Sequence, residues 1–256
     1  MVILAGGAGN RLGGDTPPGP KPMVDIGGKP LLWHIMSQYS AYGFDEFVVA
    51  VGYLGGQIKR YFAEFDLVEN DVRIQVPSGR IEVHGAPRTM KWSVDVVDTG
   101  RWTESGGRLK RLEPLLQAGT FMMTFGDAVS DVDLGALVEF HRSQGKVATL
   151  TAVHPPPRFG ELRLEGDMVT DFSEKPMDAG WINGGFMAFE PRIFEYIDGD
   201  HVGLSLEPMQ RLAQDGELAA YRHQGFWQSV DSMRDKVMLE ELWASPEPPW
   251  RTWVEG

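Results

Sequence analysis

Arg11 and Lys21 are the side chains of this sequence best suited to holding a polyphosphate. They follow the apolar run Val2-Ile3-Leu4 and the glycine cluster Gly6-Gly7-Ala8-Gly9, and Lys21 stands between Pro20 and Pro22. Glycines let a backbone turn tightly and bring its N–H groups against phosphate or base with no Cβ in the way. An arginine fork and a lysine point charge then supply complementary positive charge. The glycines alone would equally suit an ordinary strand-to-helix loop with two solvated cations; Arg11 and Pro20-Lys21-Pro22 favour a nucleoside triphosphate. Two other phosphate motifs are excluded. Counting from Gly7 and Gly9, Leu12 stands where a dinucleotide fingerprint needs its third glycine, and Gly28-Lys29 is followed by Pro30 where a Walker lysine needs Ser or Thr.

Other chemistries find little support. The six histidines form neither metal-ligand spacing nor a Ser/His/Asp arrangement, and the absence of cysteine removes disulfides and thiolate nucleophiles. His34 lies inside a helical pattern and reads as a structural histidine. Trp33, Trp227 and Trp243 read as core or interface, with Trp227 near enough to Asp231 to line a pocket. The net charge of −12 argues against a nucleic-acid partner, so an anionic substrate must be held by local cations and a divalent metal. The only dense basic run, Gly106 to Arg111, would by itself be a solvated loop or helix start.

The elements that must position these residues read as α/β. The 256 residues, 42% hydrophobic, suit one large domain, 1–256. Val2–Leu4 predicts a strand, Leu31–Tyr42 a helix with apolar residues on one face, Phe47–Val51 a doubly buried strand, and Gln57–Phe65 a short helix. Val72–Val76 and Arg80–His84 alternate around Pro77-Ser78-Gly79 as a hairpin, and Trp92–Val96 alternates too. A β-rich antiparallel insertion at about 70–112 is therefore expected. Phe121–Phe125, Val147–Val153 and Leu218–Tyr221 predict strands, and Leu134–Gln144 and Leu206–Gln214 helices. A final helix begins near Asp231, opened by a Ser232/Asp235 capping pair. The proline-rich tail completes a C-terminal unit at about 231–256. No apolar run approaches the ~20 residues of a membrane helix, and Met1 leads directly into a strand, so a cytoplasmic protein without a membrane partner is expected.

The opening Leu4-Ala5-Gly6-Gly7-x-Gly9-x-Arg11-Leu12, with Pro20-Lys21-Pro22, resembles the sugar-1-phosphate nucleotidyltransferases, most nearly those that use CTP and glucose 1-phosphate. The likeness continues, in order, through Lys29–Met36, Gly52-Tyr53, Val97–Gly100, Gly106–Arg111, Gly126-Asp127, Arg158-Phe159-Gly160, Glu174-Lys175-Pro176, Ile182–Phe186 and Gly225–Gln228. It implies a Rossmann-like fold with a mixed, mostly parallel sheet flanked by helices, and Mg²⁺-dependent cytidylyl transfer from CTP to a sugar 1-phosphate, releasing pyrophosphate. On this resemblance, Asp127 and Asp231 hold Mg²⁺. Leu4, Ala5, Gly6, Gly7, Gly9, Asn10, Arg11, Arg108 and Gly126 bind nucleotide, Arg11 at the β/γ-phosphates and Arg108 from its own or a neighbouring subunit. Lys21 sits near the α-phosphate. Gly160, Glu174, Lys175, Asn183 and Gly184 receive the sugar phosphate. Asp131 and Asp133 compete for the metal and rank lower because they lie beyond the Gly-Asp turn.

Three departures stand out. Asn10 replaces a usual Thr, Ala128 a usual Gly, and Val202–Pro208 a stretch that usually carries Trp-Glu before Glu-Pro; the last puts the acceptor in question. Open alternatives are another sugar or cyclitol phosphate, another triphosphate, or a nucleotide-binding relative without turnover. The insertion predicts a homotrimer or homohexamer.

Overall fold

The computed structural model describes residues 1–7, 19–84, 90–155, 161–173 and 180–253. In chain order, β1 (Val2–Ala5) precedes a 3-10 turn at Lys21–Met23 and a small ladder of β2 (Asp25–Ile26) with β3 (Lys29–Pro30). α1 (Leu31–Ala41), β4 (Glu46–Val51), α2 (Gly55–Ala63) and α3 (Phe65–Glu69) lead to a hairpin of β5 (Asp71–Gln75) and β6 (Arg80–His84). β7 (Ser93–Asp98), α4 (Ser105–Arg111), β8 (Phe121–Phe125), β9 (Ala128–Ser130), α5 (Leu134–Gln144) and β10 (Ala148–Val153) follow. A second hairpin, β11 (Glu161–Glu165) with β12 (Met168–Ser173), is succeeded by β13 (Ile182–Asn183), β14 (Met187–Phe189), α6 (Glu207–Gln214), β15 (Leu218–Arg222), β16 (Trp227–Ser229) and α7 (Met233–Trp243).

β8, β1, β4 and β7 run side by side and parallel. β13 and β14 are two halves of one strand, both antiparallel to the same edge of β10, and β14 is antiparallel to β8 as well. β15 closes the other side of β10 in parallel. All the parallel strands thus end at one edge, where loops can meet without interrupting the ladder. Successive residues of β1 face opposite ways. Ile3 and Ala5 join a core with α1, α5 and α7, while Val2 and Leu4 join a second core with α4 and α6.

The alternating residues near Trp92–Val96 do not continue an antiparallel insertion. Residues 93–98 are the parallel edge strand β7, in register with all of β4. Among the described residues the excursion is the β5–β6 hairpin, which forms its own two-stranded sheet.

The proline-rich tail docks. Trp250 is 1% exposed and packs against Phe226, Trp243 and His34. His34 is completely buried; its Nε2–H donates to Ile26 O (2.9 Å), and its Nδ1 accepts from Trp250 Nε1 (3.4 Å). Both nitrogens of the neutral ring are therefore used. Burial, only partly opposed by the Ile26 hydrogen bond, lowers its pKa from 6.5 to about 4. The unfolded chain takes up this proton near pH 6.5 and the folded one near 4, so stability is lost as the pH drops through that window. Complete protonation costs about 3 kcal/mol. Thermal melts at pH 7 and pH 4 should show a larger loss for the parent than for His34→Gln.

Candidate active site

A cavity of about 400 Å³ opens at the strand-end edge, walled by the ends of β1 and β8, the Lys21–Pro22 turn, and the loop between β7 and α4. Leu4, Ala5, Gly6, Gly7, Lys21, Arg108, Gly126 and Asp127 all line it. Pro22 explains why the lysine is flanked by proline. It is buried against Gly126, where a Cβ would lie 2.6 Å from its ring, and Gly126 N donates to Leu4 O at 3.1 Å. The turn at Lys21 is thereby fixed beside Asp127.

Lys21 draws together two carboxylates from distant parts of the chain. Its Nζ donates to Asp127 Oδ2 at 3.1 Å and to Asp231 Oδ1 at 2.6 Å. The short β9–β16 ladder makes this meeting possible: Ser229 pairs with Ala128, and Val230 N donates to Asp127 O at 2.8 Å. Asp127 and Asp231 therefore flank one end of one ladder. Ser229 Oγ fixes the other Asp231 oxygen (2.7 Å), and the largely buried Asp235 carboxylate accepts from Asp231 N and Ser232 N (3.0 and 2.9 Å), completing the capping box of α7. Burial alone would lower the Lys21 pKa, but the two carboxylates more than offset it and raise it above 10.5.

Arg108 has a different role from a free cation. It is 4% exposed, and its NH1 and NH2 donate to Val51 O, Thr99 Oγ1, Gly100 O and Gly6 O at 2.6–3.3 Å. One planar fork thus joins the ends of β1, β4 and β7. Gly6 and Gly52 lack the Cβ that would lie within 2.5 Å of that guanidinium. Gly106 and Gly107 similarly let α4 approach Val202 O and Asp200. The rest of the basic run is committed to structure as well: Lys110 binds Phe194 O and Glu113, and Arg111 forks onto Asp200. Arg108→Ala would leave several buried acceptors unpaired, at about 1–3 kcal/mol each. A destabilisation of about 3–5 kcal/mol is expected in denaturant titration, with only partial recovery in Arg108→Lys.

Asn183 and Gly184 lie on the other side of the reaction edge. Asn183 pairs with Ala152, its Oδ1 accepts from Gly185 N (3.0 Å), and the strand breaks at Gly185 and Phe186, both at positive φ. Trp227 Nε1 donates to Gly184 O at 2.7 Å, and Gly184 has no room for a Cβ against Val153. Trp227 thus ties this turn to the β9–β16 ladder. Gly9, Asn10, Arg11, Gly160, Glu174 and Lys175 lie outside the described residues.

The competing carboxylates are engaged elsewhere: Asp131 pairs with His223 at 2.8 Å and Asp133 caps α5 through Ala136 N. The substituted Val202–Pro208 stretch falls on the α4 side of the molecule. Leu204 is fully buried, with its N–H donating to Ser105 Oγ at 2.8 Å, and Val202 O accepts from Gly106 N. Leu204 is therefore a packing residue beneath α4, whereas Leu206 is 65% exposed. The sequence had not singled out Arg101–Ser105, which form one cavity wall directly after the Val97–Gly100 motif.

Asp127 and Asp231 are hard oxygen donors, partly exposed and both turned to one cation, the Lys21 ammonium. No group of three or more His, Asp or Glu residues with metal-ligand geometry occurs among the described residues. Two carboxylates, completed by phosphate oxygens and water, fit Mg²⁺ and would not make a closed protein cage.

The chain resembles known proteins over nearly its whole length. The chain is 48% identical over 254 residues to the glucose-1-phosphate cytidylyltransferase of Salmonella typhi, covering 98% of both chains. It is 37% identical over 253 residues to a probable glucose-1-phosphate cytidylyltransferase of Bacillus subtilis, covering 98% of this chain and 99% of the relative. Among solved structures, HddC from Yersinia pseudotuberculosis superposes with a TM-score of 0.69 at 24% identity, over 94% of this chain and 98% of that one. The nucleotidyl transferase profile matches residues 1–235, which takes in β1, the Lys21 turn, Asp127 and Asp231. The chain therefore belongs to the nucleotidyl transferase family, whose profile takes in the strand-end cavity, Lys21 and the two carboxylates that Lys21 joins.

Proposed function

We propose that this enzyme transfers a cytidylyl group from CTP to a sugar 1-phosphate, with α-D-glucose 1-phosphate as acceptor. The observation that carries the reading is the Lys21 ammonium held between Asp127 and Asp231 beside the strand-end cavity. A phosphate oxygen of the acceptor attacks the α-phosphorus, the bond to the β-phosphate oxygen breaks, and pyrophosphate leaves. Both substrates are anions, so alignment and charge compensation are the main tasks of the protein.

Lys21 supplies a point charge at the α-phosphate, and Asp127 and Asp231 would hold Mg²⁺. When bound, that ion neutralises phosphate charge and polarises the reacting phosphorus. Gly6 and Gly7, together with Gly9, Asn10 and Arg11, carry the remaining phosphates. Gly160, Glu174, Lys175, Asn183 and Gly184 receive the sugar phosphate, Glu174 through sugar hydroxyls and Lys175 through the phosphate. The relatives' names support CTP and glucose 1-phosphate.

Incubation with each of CTP, UTP, GTP and dTTP against several sugar and cyclitol phosphates, with products read by mass spectrometry, tests the assignment. CDP-glucose should dominate; a different dominant nucleotide sugar would replace the substrate assignment while leaving the reaction class intact.

The β5–β6 hairpin supports an oligomer. Val72 pairs with Val83 and Ile74 with Ile81 on one face, while Ile74, Ile81 and Val83 are 44–55% exposed. An isolated two-stranded hairpin is marginal in water, so this face calls for cover by a second copy in a trimer or hexamer. Sedimentation at micromolar concentration should show that assembly, and Ile74→Glu with Ile81→Glu should dissociate it; a monomeric parent would refute it.

A further inference from the structure

The cavity wall farthest along the sheet from Asn183 carries Arg101 and Trp102. Trp102 is 76% exposed, although it is among the largest apolar side chains of the protein. It is nonetheless held in place. The Arg101 guanidinium carbon lies 4.8 Å from the centroid of the Trp102 ring and 5.0 Å from that of Tyr53, so one cation ties two aromatic rings at the ends of β4 and β7.

The topology says which part of a nucleotide reaches this wall. The acceptor turn lies on the β10–β13 side of β8, and Lys21 and Asp127 lie at the ends of β1 and β8. A nucleotide reacting at Lys21 carries its nucleoside on a different substituent of the α-phosphorus from the incoming acceptor. The nucleoside must then extend away from Asn183, toward β4 and β7. Among the described residues, Arg108, the other cation on this side, already donates to protein oxygens, which leaves the aromatic surface unused.

We propose that the exposed face of Trp102, oriented by Arg101 and Tyr53, is the stacking surface for the nucleobase. This rests on the nucleotidyl-transfer reading above and adds a residue to it. Every base presents a π-face, so stacking on Trp102 strengthens binding of all nucleoside triphosphates alike, and base selection must come from other groups. Loss of one base–aromatic stack weakens binding by about 5- to 150-fold.

The test is calorimetric titration of the parent, Trp102→Ala and Trp102→Phe with Mg²⁺ and each of CTP, UTP and inorganic tripolyphosphate, alongside tryptophan fluorescence. Trp102→Ala should weaken CTP and UTP by the same factor in that range and leave tripolyphosphate within twofold. Trp102→Phe should restore CTP affinity. CTP should quench parent emission more than tripolyphosphate does, with the excess quench absent in Trp102→Phe. CTP affinity unchanged in Trp102→Ala, an equal loss for tripolyphosphate, or a change in sedimentation that assigns Trp102 to a subunit contact would overturn the proposal. If the parent binds tripolyphosphate but gains nothing from the nucleoside, stacking fails and the phosphate site stands. If it binds neither, the nucleotidyl-transfer reading fails and takes the proposal with it.

Discussion

Lys21→Ala should lower kcat about 10²- to 10³-fold, the cost of removing one preorganised charge from a developing phosphoryl centre. The Nζ group is 3.1 and 2.6 Å from carboxylates contributed 106 and 210 residues later in the chain, and among the described residues no other side chain in the cavity reproduces its position. Lys21→Arg should recover only part of the rate, because a planar fork cannot occupy the same point between Asp127 and Asp231. The raised pKa gives the result a pH signature. The ammonium persists through neutral pH, and its pairing contributes to folding fully below pH 10.5 and is lost as pH rises through the higher folded value. Melting curves of the metal-free protein should therefore show no loss of this pairing below that point. Steady-state rates from pH 6 to 10, with melting curves to show that the variant is folded, check both statements. A variant within threefold of the parent would remove Lys21 from the reaction.

The second large effect is expected at the carboxylates. Asp127→Asn should reduce kcat by about 10³-fold or more, because it removes a hard anionic ligand where several kcal/mol of charge stabilisation is concentrated. Asp231→Asn should do the same, and the double variant should be little worse than either single one, since the two act on one centre. Stability should scarcely change. Both side chains are well exposed, 38% and 51%, and exposed ion pairs contribute only about 0–1 kcal/mol. Single-turnover rates measured beside melting temperatures separate a lost ligand from a lost fold. If Asp127→Asn retains a tenth of parent activity, Asp127 is not a ligand of the reacting centre.

Much of the scaffold was legible because local pattern and burial coincide. Phe121–Phe125 and Leu134–Gln144 have in the structure the bounds that their apolar runs suggested, and Ser232 and Asp235 form the expected capping box. The strand β7 was misread for an informative reason. Alternation reports that one face of a strand is covered and the other open, which is true of a parallel edge strand as well as of a hairpin. Strand direction is not encoded in that pattern. Arg108 was difficult for another reason: its acceptors come from residues 6, 51, 99 and 100, and nothing near Arg108 in the chain announces them. The glycines that make room for its guanidinium, Gly6 and Gly52, look like phosphate-loop and turn glycines when read alone. Lys21, Asp127 and Asp231 were each legible as site residues through the family pattern, but their bridging contact depends on the β9–β16 ladder, whose three-residue strands carry too few residues for a periodic signal.

The most direct test is the initial rate of pyrophosphate release from CTP with Mg²⁺, measured with and without glucose 1-phosphate. Release that depends on both substrates and yields CDP-glucose in equal amount is the predicted result. Pyrophosphate released at the same rate without the acceptor, or none released while CTP is bound, would contradict cytidylyl transfer to glucose 1-phosphate.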